Sequence, residues 1–421
     1  MRWRWTGQVM PLFERQYLAD SFYLYHSFLV IVAQPLSSTL ALKTLFFVCF
    51  FKNIIAMLQI LNKTPFEAAL ALVTDQNGAE KVTVAVKGTF KIPPRYGEVG
   101  LADDQLPVLY TDEYYGEPGK SSIKYPVDIV LGKVNTDIGL IGMAHSPQEK
   151  LVKGLLVSLK VGQLQKVIMV TGDRYWKKRA LLPGFYMTDP ILFKKMPLIY
   201  ERSFGGMDQT HKNKKKHGGN KSNPIGTGFR LNRNVVENHR LPNLQDPKHL
   251  ISHWQNKPPV ACYGFVDSSW EPRIQFAGTC DESWLNNHFP LLPIDFDLQF
   301  FNSASPELIA KGFLKGGEPV KMVNLSPKGV LEFNLPKLEI SLMFRLGETR
   351  NHTKADLWAV VFEPNEDRFY IVWGRSFCVG KQPSRMRYVK VEMHGESGTI
   401  NLLKANSAEQ EHPDSIGKVS D

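Results

Sequence analysis

Two aspartates in the segment PIDFD, Asp295 and Asp297, have the residue type and spacing that acid–base chemistry requires. Side chains two residues apart in an extended chain point to the same face, which places these carboxylates about 7 Å apart. Two carboxylates at that separation can flank a water molecule, as in inverting glycosidases. The same pair would suit aspartates that cap loop amides or pair with arginine, which is the commoner use, so both roles stay open.

Two histidine pairs have spacings that a metal site could use. His249 and His253 stand four residues apart and would share one face of a helix, and His211 and His217 flank a run of lysines. A zinc site needs a complete set of His, Cys, Asp or Glu ligands, and we identify no complete set around either pair. We therefore predict that the protein binds no metal.

Motifs of common enzyme classes do not occur in the sequence, which contains no GxSxG elbow, no Walker loop and no HExxH. The four cysteines, Cys49, Cys262, Cys280 and Cys378, include no CxxC pair. A disulfide scaffold and a cysteine-rich zinc site are therefore excluded. We predict no catalytic residue and no cofactor.

Two segments combine arginine and carboxylate side chains with aromatics and glycine, GDRYW (172–176) and MPLIYERSFGGMD (196–208). Arg174 and Arg202 can form bidentate hydrogen bonds with Asp or Glu, which would lock loops where no strand ladder satisfies the backbone. Gly205 and Gly206 permit positive φ or a close backbone approach. The sequence predicts an ordered loop scaffold here rather than an active site.

Twelve residues in these and later segments are candidates for a loop scaffold or for partner binding. They are Arg174, Trp176, Tyr200, Glu201, Arg202, Gly205, Gly206, Trp270, Arg273, Trp284, Asp295 and Asp297. Aromatic residues among them can serve as rigid anchors for a partner at low entropic cost, or can pack in the core.

The segment HKNKKKHGGNK (211–221) contains five lysines, no acid and two adjacent glycines. This composition predicts a solvated surface loop. Contact with nucleic acid or a membrane is the alternative, but no aromatic interleaves the lysines, as a platform for stacking single-stranded bases would require.

Strands must position these residues, because the dominant hydrophobic period after Met57 is two. In 81–92, Val82, Val84 and Val86 alternate with polar residues that include Lys87, which is the pattern of a half-buried strand. Further strands are predicted at 151–162, 165–172, 337–346, 356–362, 368–374 and 386–394.

Helical signals are few and short. Ser305 and Pro306 open the segment SPELIAK, and Asp281 can cap ESWLNNH. Long loops concentrate between 173 and 300. We predict a mainly β protein built from β-sandwich or barrel-like sheets, with long ordered loops and a few short helices.

Residues 1–56 differ in composition from the rest of the chain. Residues 21–42 contain no Asp, Glu, Lys or Arg, and about 20 apolar residues suffice to cross a bilayer. Polar residues and Pro35 interrupt the middle of this run. We favour the interpretation that translation starts at Met57 and that 1–56 is a mis-annotated upstream extension; a hydrophobic signal-anchor and a soluble extension are the alternatives.

The rest of the chain is predicted to form one β-rich domain over 57–395, which could divide into two β subdomains joined by the loop-rich region 173–300. A polar, disordered tail is predicted over 396–421. The composition supports a folded core, because 43% of the 421 residues are hydrophobic.

The formal net charge of +10 is compatible with nucleic acid, an anionic membrane or an acidic protein as a partner. Residues 1–56 hold five basic and two acidic side chains and contribute +3, so a start at Met57 leaves +7. Because five lysines of that excess lie in one predicted loop, the charge no longer indicates nucleic acid.

Ten stretches between Met57 and about Lys390 resemble the family called domain of unknown function 2169. They are NKTPFEAA (62–69), VKGTFKI (86–92), DEYYGEPGKSSIKYPVDIVLGKVNTDIGLIG (112–142), GDRYW (172–176), MPLIYERSFGGMD (196–208), NPIGTGF (223–229), LPNLQDP (241–247), WEPRIQFAGTCDESW (270–284), LPIDFDLQFFNSA (292–304) and VVFEPNEDRFYIVWGRSF (360–377). Members of that family typically begin just before the NKTPF-like stretch, which agrees with a start at Met57. Cys280, Glu282 and the lysine-rich loop depart from the family pattern.

The resemblance implies a cytoplasmic bacterial adaptor or chaperone of the type VI secretion system, without catalytic residues or a cofactor. Such a protein would hold an effector that contains a PAAR domain, or its N-terminal segment, and help load it onto the VgrG spike. No nucleic-acid partner is expected, and no membrane contact if translation starts at Met57.

Two other functions remain as hypotheses. One is a carbohydrate or peptidoglycan hydrolase that uses Asp295 and Asp297. The other is a membrane-anchored component of the secretion system that uses residues 21–51.

Overall fold

A computed structural model describes residues 59–94, 97–181, 183–380 and 383–395. Within these residues the chain is mainly β, with several sheets, long ordered connections and little helix, which confirms the predicted fold class. The predicted start at Met57, the hydrophobic segment 21–51 and the polar tail 396–421 lie outside the described residues.

The strands are numbered in chain order. They are β1 (Gln59–Asn62), β2 (Glu67–Thr74), β3 (Glu80–Lys91), β4 (Glu113–Tyr114), β5 (Ile123–Tyr125), β6 (Asp137–Leu140), β7 (Met143–His145), β8 (Gly154–Val161), β9 (Leu164–Thr171), β10 (Trp176–Lys178), β11 (Phe185–Met187), β12 (Lys195–Pro197), β13 (Phe204–Gly205), β14 (Met207–Asp208), β15 (Gly218–Gly219), β16 (Thr227–Gly228), β17 (Leu244–Gln245), β18 (Pro319–Val323), β19 (Val330–Asn334), β20 (Leu338–Leu346), β21 (Thr349–Lys354), β22 (Asp356–Glu363), β23 (Arg368–Gly380) and β24 (Met386–Gly395).

Helical structure in the described residues is short. The α-helix α1 spans Glu282–Asn287, and the 3-10 helices are Pro147–Glu149, Tyr200–Arg202, Lys214–Lys216, Arg233–Val235, Arg273–Phe276, Leu298–Phe301, Pro306–Leu308, Pro364–Glu366 and Pro383–Arg385.

A five-stranded central sheet has the order β2-β3-β23-β22-β6. Its neighbours are antiparallel except for β22 and β6, which are parallel. Val82, Val84 and Val86 of β3 point into the main core, because alternate residues of a strand share one face. On the opposite face, Ala85 packs under a layer of loops that includes Phe265.

Two further sheets supply side chains to the same main core. The second sheet, β17-β9-β8-β18-β19, is antiparallel throughout, and the third has the order β1-β24-β20-β21. Phe333 of β19 lies edge-on to Phe362 of β22, with ring centroids 6.3 Å apart. Phe344 of β20 stacks on Phe377 of β23 at 4.7 Å. All three sheets are open, so the core lies between layers.

Two-stranded ladders stabilise the loops between these sheets. Their pairs are β4–β5, β7–β12, β10–β11, β13–β16 and β14–β15. The loop-rich region 173–300 is therefore ordered by short backbone ladders, whereas the division into two β subdomains stays a prediction.

One of the two predicted helices is confirmed. The side chain of Asp281 accepts a hydrogen bond from the Trp284 amide at the start of α1. The segment SPELIAK forms only the 3-10 turn Pro306–Leu308. Its predicted cap, Ser305, instead bonds to Lys166 and Glu307, so its hydroxyl does not hold a helix N-terminus.

The prediction that β3 is half-buried is wrong, although the alternation itself is confirmed. Thr83 and Lys87, on the face opposite the valines, are 0% and 1% exposed. A period of two shows only that two faces differ, and here a layer of loops covers the polar one.

Lys87 is buried as an ion pair. Its Nζ lies 2.9 Å from Oδ2 of Asp128, and both side chains are 2% exposed. The ammonium also lies 4.2 Å from the ring centroid of Tyr370. Oδ2 of Asp128 accepts a second hydrogen bond, from the Leu109 amide at 2.8 Å. The pair therefore fixes the covering loops to the central sheet.

Replacing Lys87 by Met should destabilise the protein by about 3–5 kcal/mol, because it leaves the Asp128 carboxylate buried without its partner. Urea unfolding measures the loss. The matched control is Lys91→Met on the same strand, whose exposed pair with Asp103 at 2.7 Å should contribute about 0–1 kcal/mol. Equal losses in the two variants would contradict the assigned role of the buried pair.

Candidate functional site

Asp173 is the centre of a hydrogen-bonded cluster just after the end of β9. Its Oδ1 accepts from Arg240 at 2.6 Å and from Asn243 at 2.9 Å, and Arg202 lies 3.6 Å away. Asn243 also donates to the Thr171 carbonyl at 2.9 Å. Burial alone would raise the pKa of Asp173, but the hydrogen bonds from Asn243 and Arg240 outweigh it and lower the pKa.

The cluster joins loops that are distant in sequence to the second sheet. Arg202 donates to Oδ1 of Asn243 at 3.0 Å and lies 3.1 Å from the Met196 sulfur. Arg174 lies near the Met187 sulfur and the Pro242 carbonyl, and burial lowers its pKa. Neither Arg174 nor Arg202 forms the predicted bidentate carboxylate pair among the described contacts. Arg240, at 2.6 Å, lies closer to Asp173 than Arg202 does.

Glu201 and Tyr200 connect this cluster to the β4–β5 loop. The Glu201 carboxylate accepts from the Ser122 amide at 2.8 Å and from the Ser122 hydroxyl. The Ser122 hydroxyl in turn accepts from the Tyr200 amide at 3.1 Å. The Tyr200 ring is buried edge-on against Trp270, with centroids 5.3 Å apart.

Gly205 and Gly206 allow two backbone segments to approach closely. A Cβ at Gly205 would lie 2.2 Å from the carbonyl oxygen of Asn223, and Gly206 has φ +101°. The Asn223 side chain donates to the carbonyls of Tyr200 and Phe204 at 2.8 and 3.1 Å. The predicted need for glycine at both positions therefore has a direct steric cause.

The remaining aromatic and arginine candidates are interior residues. Trp176, Trp270 and Trp284 are 4%, 2% and 6% exposed. Arg273 is also buried and donates to the carbonyls of Val266 and Phe300 at 2.6 and 3.0 Å. These side chains are covered by the protein itself, so they hold loops together and present little surface to a partner.

Asp295 and Asp297 each bind nearby groups in the chain. Asp295 is exposed and accepts from the Thr279 amide at 2.8 Å and the Thr279 hydroxyl at 2.7 Å. Asp297 caps the 3-10 helix Leu298–Phe301 through the Gln299 amide at 2.8 Å. Of the two roles left open by the sequence, this geometry matches the capping of loop amides.

The histidine pairs make local contacts. His249 lies 2.9 Å from Asp246, an acid that the sequence interpretation did not include, and His217 contacts the His211 carbonyl at 2.7 Å. Across the described ranges, no group of three or more His, Cys, Asp or Glu side chains is arranged to hold a metal.

Two small cavities lie beside the buried polar groups. One has a volume of about 10 Å³ next to Asp128 and Tyr370, and the other about 40 Å³ next to Arg273 and Asn302. Such volumes accommodate single water molecules, whereas small-molecule sites typically measure about 300–1,000 Å³.

Asp208 and His239 are structural residues that sequence reasoning missed. Asp208 accepts from the amides of Thr210 and Leu231 at 3.1 and 2.8 Å. Burial alone would raise the pKa of Asp208, but the hydrogen bonds outweigh burial and lower the pKa to about 2. In the sequence, Asp208 is marked only by its position just before the lysine-rich loop. Its spacing from Leu231 does not indicate that the Leu231 amide is its partner.

Open sheets that carry a layer of loops held by buried polar contacts define a mainly β protein with a loop scaffold. The family model described as "Uncharacterized protein conserved in bacteria (DUF2169)" matches residues 77–374, and the chain belongs to this family. No curated protein and no solved structure matches the chain. Among the described residues, none of the helices has the length and apolar character needed to traverse a bilayer.

Substituting Gly205 by Ala should destabilise the protein by about 1–3 kcal/mol, because the added methyl group would overlap the Asn223 carbonyl. Thermal or urea unfolding measures the change. Gly116→Ala is the matched control, since the nearest atoms to a Cβ there lie at an ordinary 3.5 Å. If the two variants unfold alike, the close approach at Gly205 is not a steric requirement.

The pKa of His239 should respond to Arg230. Burial and, to a smaller extent, the Arg230 guanidinium, 2.8 Å from Nδ1, together lower this pKa from 6.5 to about 4. The unfolded chain therefore binds more protons between pH 4 and 6.5, and stability should fall as the pH decreases through that window. NMR titration should show a higher pKa in Arg230→Met and no change in Arg233→Met; an unchanged value in the first variant would exclude the Arg230 effect.

Proposed function

We propose that this protein is a non-enzymatic binding protein, a cytoplasmic adaptor or chaperone that holds a type VI secretion effector and helps load it onto the VgrG spike. The observation that carries the proposal is the loop scaffold itself. Glu201, Arg273 and Asp297, which could have served chemistry, are engaged in fixing loop backbone. Asp173 instead binds the side chains of Arg240 and Asn243.

A scaffold of this kind suits recognition of another protein. Loops fixed before binding lose little conformational entropy when a partner docks, so more of the contact energy contributes to affinity. The loops between 173 and 300 are joined to the second sheet by the bond from Asn243 to the Thr171 carbonyl, and to the β4–β5 loop by the Glu201 contacts. A broad preformed surface results, and a protein partner can use such a surface without a deep pocket.

The secretion-system context of the proposal rests on the resemblance to the domain of unknown function 2169 family. That resemblance indicates an effector with a PAAR domain, or its N-terminal segment, as the partner. The capping geometry of Asp295 and Asp297 provides no support for the alternative hydrolase.

Deletion of the gene should leave the product of the neighbouring effector gene insoluble or degraded and should prevent its association with the spike. Complementation with the wild-type chain should restore both. Effector levels by immunoblot and co-purification with tagged VgrG are the measurements. The adaptor function is excluded if the effector stays soluble, stable and spike-loaded in the deletion strain.

Asp295→Asn is the control that separates binding from catalysis. Asparagine keeps one oxygen that accepts from the Thr279 amide, and its NH2 group can donate to the Thr279 hydroxyl. This variant should therefore complement the deletion as well as the wild type does. Turnover of cell-wall fragments by the wild-type protein that disappears in Asp295→Asn would instead establish the hydrolase.

A further inference from the structure

The net positive charge of the chain is concentrated in one region. Residues 173–257 contain 17 Lys and Arg but six Asp and Glu, a net charge of +11, whereas the whole chain carries +10. The rest of the chain is therefore almost neutral, with a net charge of −1. This region is organised around a core of its own that contains Trp176, Phe204 and Phe229.

Three of the six acidic side chains of this region bind local partners. Asp173 binds Arg240 and Asn243, Asp208 binds backbone amides, and Glu201 binds Ser122. These three carboxylates stabilise the loops, whereas Asp189 and Glu237 are exposed. Of the exposed side chains in the region, 12 are Lys or Arg and two are Asp or Glu, so the surface of the region is positive.

Basic residues lie along one connected path, which we call the basic surface. It consists of the exposed Lys178, Arg179, Lys212, Lys214, Lys215, Lys216 and Arg233 and the half-buried Arg230.

Backbone and side-chain contacts join the parts of the basic surface. The Trp176 and His239 backbones are hydrogen-bonded at 3.0 Å, which brings the β10–β11 hairpin next to His239. Arg230 contacts His239 at 2.8 Å. Asp208, at the base of the lysine-rich loop, accepts from the Leu231 amide at 2.8 Å. The three basic segments therefore adjoin one another.

Two partly exposed apolar side chains lie next to the basic surface. Met207 and Leu231 are 47% and 44% exposed. They border the β14–β15 ladder, where a Cβ at Gly219 would meet the Met207 sulfur and one at Gly218 would meet Leu231. Because these two glycines carry no side chains, the thioether and the leucine pack over the ladder and remain partly exposed near the cationic groups.

We propose that the basic surface binds an acidic polypeptide segment that also carries apolar side chains, contributed by the partner protein. This inference rests on the proposed function and specifies the chemistry of the partner. Carboxylates would meet the lysines and arginines, and apolar side chains would cover Met207 and Leu231.

Two features favour an acidic polypeptide over other anions. The lysine-rich loop contains no aromatic residue on which an unpaired base could stack, and a phosphate backbone would leave the exposed Met207 and Leu231 without apolar partners. Insertion into an anionic membrane requires apolar side chains that project, whereas Met207 and Leu231 lie against the glycine ladder.

The test is fluorescence anisotropy with a labelled amphipathic peptide of Glu and Leu. The full-length protein should bind it, and added salt should weaken the complex. The triple variant K214E/K215E/K216E should bind about tenfold more weakly or worse. The control K160E/K311E/K315E changes the net charge equally at exposed lysines outside the region and should bind as the wild type does.

Three results would overturn the assignment. They are equal weakening by both triple variants, equal binding of a matched Lys and Leu peptide, and tighter binding of duplex DNA or phosphatidylglycerol vesicles than of the acidic peptide. Circular dichroism confirms that the variants fold.

Co-purification with the neighbouring effector separates this inference from the proposed function. An effector that co-purifies equally with the wild type and K214E/K215E/K216E excludes the basic surface but leaves the adaptor function intact. Peptide binding that follows the lysines, without co-purification of the effector by any variant, excludes that function and retains the surface.

Discussion

The ion pair between Lys87 and Asp128 is the constraint on which the layered arrangement depends. A lysine in the middle of β3 can be covered only if its charge is met, because an isolated ammonium in the interior costs several kcal/mol. Asp128 meets that charge and also accepts the Leu109 amide. Lys133 and Asp137 form a second buried pair at 2.6 Å beside β6. The covering loops and the central sheet are therefore joined by buried ion pairs, which are stable only when both partners are in place.

Local patterns in the sequence predicted the individual strands but not their partners. The alternation of valines in β3 and the cap at Asp281 depend on neighbours a few residues away, and both were found where predicted. The burial of Lys87 depends on Asp128, in a loop about forty residues further along the chain. The hydrophobic period of a strand does not predict such a contact. The failure of Ser305 as a helix cap has the same origin, because its hydroxyl is engaged by Lys166, which is distant in sequence.

The candidate site was predicted in residue type but not in geometry. Arginine, glycine and aromatic residues in GDRYW and MPLIYERSFGGMD do form an ordered loop scaffold. The contacts that define it, however, involve Arg240 and Asn243 from another segment. Asp208, which holds the loop amides, is buried, while the lysines that follow it in the chain are exposed, so the arrangement that orders these loops also leaves a basic surface.

Pairing of β3 with β23 joins residues 80–91 to residues 368–380. Nearly three hundred residues must therefore leave the ribosome before the central sheet gains its third strand. Until then the β2–β3 hairpin presents an unpaired edge and a row of valines. Pairing between strands so distant in sequence forms slowly, and the exposed hairpin is prone to aggregation in the meantime. A chain truncated before β22 cannot complete this sheet. Such a chain would stay unfolded and would be degraded by the proteases of the cell.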